Sequence, residues 1–140
     1  MTNITFFRSD GIFYGFEEKG HVGYGEWGSD PVCAMLSSLT MYIVDAIEDV
    51  YQGEVRYDIN EDDTVITVRS RSALPAYEAD ERVRYAVSGL FLTYYKMLED
   101  MLLHDDMYEF TGDQGLTIKV VDKDYEYPPC AVICAQMCDF

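Results

Sequence analysis

No stretch of the chain stays apolar for the roughly 18 residues that a membrane helix requires, and Met1 leads directly into charged and aromatic residues instead of a basic segment followed by an apolar one. The expectation is a cytoplasmic protein with no membrane association. Basic residues are equally scarce: 10 Lys and Arg stand against 26 Asp and Glu, a formal net charge of -16. Such a chain repels the phosphates that nucleic-acid binders must neutralise, so direct nucleic-acid binding is excluded and a basic partner is the easier one to accept. Acidity also serves solubility alone. Calcium loops are missing as well, because neither Asp105-Asp106 nor the turn from Asn60 to Asp63 has alternating oxygen ligands closed by a Glu. No metal or other cofactor is expected.

Only four cysteines occur, and an unexported chain keeps its thiols reduced. Cys33 stands alone, whereas Cys130, Cys134 and Cys138 crowd the end of the chain. Their spacing puts three thiols on one helical face but fits no standard zinc signature, so packing or an unstructured tail is preferred to a soft-metal or redox site. His104 falls near the end of a helical stripe, where a cation is favourable against the helix dipole, and receives a structural role.

A chain of 140 residues fits one domain with room for a core. Residues Asn3 to Arg8 and Ile12 to Glu18 flank the turn Ser9-Asp10-Gly11 and read as a β-hairpin. Leu36, Leu39, Ile43, Ala46, Ile47 and Val50 recur at helical spacing, with Gly53 as a stop. Val55 to Ile59 and Val65 to Ser70 predict a second hairpin. A longer apolar stripe from Val83 through Val87, Leu90, Phe91, Tyr94 and Leu98 to Leu102 predicts a second helix, and Leu116 to Val121 a last strand. The order ββαββαβ implies an α+β fold: a two-layer sandwich of a largely antiparallel sheet and two helices. The folded domain is placed at residues 1–121, and residues 122–140 form a Cys-containing C-terminal extension. With 12 Tyr, 7 Phe and 1 Trp there are more rings than two helices can hide, and a homodimer would cover the surplus.

Chemistry concentrates in Gly20-His21-Val22-Gly23-Tyr24-Gly25-Glu26-Trp27-Gly28-Ser29-Asp30-Pro31-Val32-Cys33, between the second strand and the first helix. Asp30 suits the helix cap and Pro31 the first helical position, which puts Cys33 in the first turn. Unpaired N–H groups and the positive end of the dipole there favour a thiolate. His21, the only nearby imidazole in sequence, can take the thiol proton and return it to a leaving amine. The same residues also fit a blander account: a small buried Cys, a satisfied surface His and glycines serving only as turn residues. Asp30 itself opposes a thiolate unless turned toward N–H groups or His21.

The run Gly20-His21-x-Gly23-Tyr24-x-x-x-Gly28-x-Asp30-x-Val32-Cys33-Ala34-x-x-Ser37 resembles the signature of the ribosomal-processing cysteine protease family, the YsxB-like proteins, including its His-to-Cys spacing. The resemblance implies a homodimeric endopeptidase that removes the N-terminal extension of the ribosomal protein bL27 precursor, with His21 and Cys33 as its dyad. Gly20, Asp30 and Ser37 carry over as supporting positions, and Gly23, Tyr24, Gly25 and Gly28 as a flexible loop over the substrate. Pro31, the extra length and the acidity depart from the family pattern, leaving room for another protein substrate. The alternative is a noncatalytic or diverged paralogue that binds a peptide or ribosomal protein.

Overall fold

In the computed structural model, residues 2–20, 31–60, 62, 65–104 and 116–126 are described, with backbone alone at 31–33. Strands β1 (Thr2–Ser9) and β2 (Ile12–Lys19) form the first hairpin, and β3 (Arg56–Asn60) and β4 (Val65–Arg69) the second. Helix α1 (Pro31–Asp45) lies between the hairpins, α2 (Glu81–Leu103) follows them, and β5 (Leu116–Asp122) comes last. The α+β order ββαββαβ is as the sequence predicts. In space the strands run β3-β4-β2-β1-β5, antiparallel except where β5 joins β1 in parallel.

The first hairpin turns tightly because Asp10 and Gly11 both take positive φ, 51° and 81°, matching the twist of the flanking strands. Helix α1 buries Leu36, Ile43 and Val44, and its apolar stripe continues through one wider turn, Ala46–Val50, that buries Ile47. The left-handed residue after that turn is Gln52, φ 55°, rather than Gly53, whose N–H donates back to the Ile47 carbonyl at 2.8 Å. The start of α2 is capped by Asp80, whose carboxylate accepts from the Arg82 N–H at 2.9 Å. Val87, Phe91, Tyr94, Leu98 and Met101 then turn inward at spacings of three and four.

One aromatic cluster joins the layers. Phe6 of β1 and Phe16 of β2 meet Tyr94 edge-on, with centroids 5.7 and 5.0 Å away, and Phe16 also meets Phe91 at 6.0 Å. Rings on the far face are covered by the chain itself. Phe7 stacks on Tyr14, and the segment after β5 folds back so that buried Tyr125 packs on Tyr14 and Tyr77. The Tyr14 hydroxyl donates to the Lys123 carbonyl at 2.8 Å, and Arg8 grips Asp122 through two bonds of 2.7 and 3.0 Å. Part of the aromatic surplus that the sequence assigns to a partner is therefore hidden within the chain.

Candidate active site

Strand β2 and helix α1 are the two elements between which the Gly-rich segment runs. β2 ends at Lys19, and Gly20 takes φ 82°, a left-handed conformation in which a side chain would be strained. α1 begins at Pro31, so Cys33 occupies its third helical position, in the first turn. The N–H groups of that turn have no partner within the helix and can stabilise negative charge on a sulfur or on a developing oxyanion. Ser37 follows one turn later and is half-buried.

His21, Gly23, Tyr24, Gly25, Gly28 and Asp30 lie outside the described residues, as do Cys130, Cys134 and Cys138. His104 ends α2 as its C-cap residue and is exposed, the position the sequence assigns it.

What the structure does bring together, where the end of β2 meets α1 and α2, is a polar cluster that sequence reasoning missed. Glu18, next to last in β2, points into the core and is fully buried. Its Oε1 accepts from the Tyr94 hydroxyl of α2 at 2.7 Å and from Thr40 Oγ1 of α1 at 3.3 Å. Its Oε2 has no hydrogen-bond partner among the described residues. Burial outweighs the two donated bonds and pushes the Glu18 carboxyl up to about 7. Burial, followed by the Glu18 charge, pushes the Tyr94 hydroxyl well above its ordinary value. A signal existed: Glu18 continues the inward alternation of Phe16, and Thr40 falls on the buried stripe between Leu36 and Ile43.

A thiol carried in the first turn of a helix has one of the parts that acyl transfer to sulfur requires. The sequence model described as cysteine protease Prp matches residues 1–103. Among solved structures the fold is similar to SMU.848 from Streptococcus mutans, with 28% identity over 88% of this chain and 96% of that one and a TM-score of 0.59. It is also similar to the essential ribosomal processing protease Prp from S. aureus in complex with a substrate peptide, with 18% identity over 88% of this chain, all of that one and a TM-score of 0.58. The same S. aureus protease with a covalently linked product peptide gives a TM-score of 0.57 at 18% identity. Identity that low speaks to the fold alone. No curated protein is detectably similar in sequence.

Proposed function

Because the chain belongs to the cysteine protease Prp family, we propose that it is an endopeptidase whose nucleophile is Cys33 and whose general base is His21. The observation that carries this reading is the position of Cys33 in the first turn of α1, within the stretch that matches the family. In the proposed reaction the Cys33 thiolate attacks the scissile carbonyl carbon while His21 holds the proton taken from sulfur. N–H groups of the first helical turn receive the oxyanion. His21 then gives its proton to the departing amine as the C–N bond breaks, leaving a thioester. Water, deprotonated by His21, hydrolyses the thioester and restores the thiol. Gly20, Asp30 and Ser37 support the site, and Gly23, Tyr24, Gly25 and Gly28 give the segment over the substrate its freedom.

The proposed substrate is the ribosomal protein bL27 precursor, cut after a hydrophobic sequence containing an aromatic residue. The net charge of -16 favours a basic ribosomal protein over an acidic one. The working form is proposed to be a homodimer, for which exposed Tyr42, Tyr85 and Leu103 on the helices offer apolar surface.

Only a catalyst needs an activated thiol, so peptide-resolved carbamidomethylation by iodoacetamide tests the reading. Cys33 reacting much faster than Cys130, Cys134 and Cys138 at pH 6.5 supports it. Uniform, slow reaction of all four favours a noncatalytic paralogue that binds peptides in the same place.

A further inference from the structure

Building on the protease reading, we propose that Glu18 is a positioning residue: bridged to Thr40 and Tyr94, its carboxyl clasps the end of β2, which runs into His21, against α1, which carries Cys33. The clasp joins three elements at one oxygen. Glu18 stands three residues before His21, and Thr40 stands seven residues, or two helical turns, after Cys33. A shift of α1 along or away from β2 must therefore stretch the Thr40 bond and move the start of α1 relative to the end of β2.

An apolar side chain would fill this core position without the cost of burying a carboxyl. What the carboxyl adds is direction, because two hydroxyls on different helices must aim at Oε1. Among the described residues the rest of its surroundings is apolar or uncharged. Ile4 of β1 and Ile66 of β4 pair beside it, and Tyr57 of β3 is close enough for the Glu18 charge to push its hydroxyl up, second to burial. Thr40 of α1 does not titrate, and Tyr94 of α2 stays protonated. Among the described residues no cation is paired with Glu18.

The carboxyl is consequently neutral below about pH 7 and becomes an uncompensated interior charge above it. Relief of that charge requires water, and a water solvating Oε1 competes with the 3.3 Å bond from Thr40 that ties α1 to β2. The clasp then loosens above about pH 7.

The test is the rate of Cys33 carbamidomethylation by iodoacetamide from pH 5.5 to 8 in the wild type, His21→Ala, Glu18→Gln and Thr40→Val, with folding followed by circular dichroism. His21→Ala is expected to slow Cys33 at pH 6 by about tenfold or more, through loss of the imidazolium partner. Thr40→Val, which cuts the bond between α1 and β2, is expected to slow it in the same direction by about threefold or more. Glu18→Gln retains an oxygen for both hydroxyls but cannot ionise. It keeps the wild-type rate at pH 6 and exceeds it above about pH 7, so the ratio of the two rates, in which the titration of the dyad itself cancels, rises near pH 7. If His21→Ala slows Cys33 while Thr40→Val does not and the ratio of Glu18→Gln to wild type stays flat with pH, the clasp is wrong and the dyad stands. If His21→Ala leaves the rate unchanged, the dyad fails and the clasp, which exists to place His21, fails with it. Should Thr40→Val not fold, the pH dependence of the ratio of Glu18→Gln to wild type alone decides: a flat ratio overturns the clasp.

Discussion

Glu18→Gln should change the pH dependence of folding whatever the protein cleaves. In the unfolded chain the carboxyl titrates near 4.5, and in the fold burial raises it to about 7. Below pH 4.5 both states carry the proton and the group makes no pH-dependent contribution. As pH rises the unfolded chain ionises first, so the wild type loses stability between about pH 4.5 and 7, and the loss is complete above that window. A gap of two to three pH units at 1.36 kcal/mol each amounts to about 3 kcal/mol, a large part of the roughly 5–15 kcal/mol that holds a domain together. The glutamine variant has no such slope at this site. Equilibrium urea unfolding followed by circular dichroism, run on both proteins at pH 4.5, 6 and 8, isolates the effect because every other titrating group cancels in the difference. The stability of Glu18→Gln relative to the wild type should rise by about 3 kcal/mol from pH 4.5 to 8, a midpoint shift on the order of 1–2 M urea. Parallel pH profiles for the two proteins would refute the buried, high-pKa carboxyl.

The remaining predictions concern the dyad, the far face and the assembly. Cys33→Ala and His21→Ala should each reduce peptide cleavage by about a thousandfold or more with the circular dichroism spectrum unchanged, since nucleophile and base act as one unit; substantial turnover by either variant removes its residue from the mechanism. Tyr125→Ala should cost about 3 kcal/mol in urea unfolding through loss of a buried ring packed on Tyr14 and Tyr77. Truncation after Val121 should be less stable than truncation after Glu126, because it removes the Asp122 partner of Arg8 and the whole covering segment; equal stability would show that the segment only rests on the sheet. Light scattering at micromolar concentration should report a dimer, and a monomer there counts against the proposed assembly.

Periodicity explains why most of the fold was legible. In α2 the residues Val87, Phe91, Tyr94, Leu98 and Met101 announce a buried stripe in sequence and form it in space. The Asp10-Gly11 turn likewise shows both its place and its type. Long-range relations leave no such local pattern. The parallel pairing of β5 with β1 joins the ends of the described fold, and the return of Tyr125 over the far face follows no repeat. Glu18 and Thr40 look like ordinary polar residues until strand and helix are packed together. At the candidate site, the start of α1 at Pro31 was legible from Asp30-Pro31, because a proline tolerates the first helical position and little beyond it.

Incubation of the full chain with the bL27 precursor of its own organism, followed by mass spectrometry of the products, tests the proposed peptidase most directly. The account predicts a new N-terminus created by one cut after a hydrophobic, aromatic-containing sequence, with no product from Cys33→Ala. An intact precursor beside folded wild-type protein contradicts the substrate. Cleavage that Cys33→Ala performs equally well contradicts the chemistry itself.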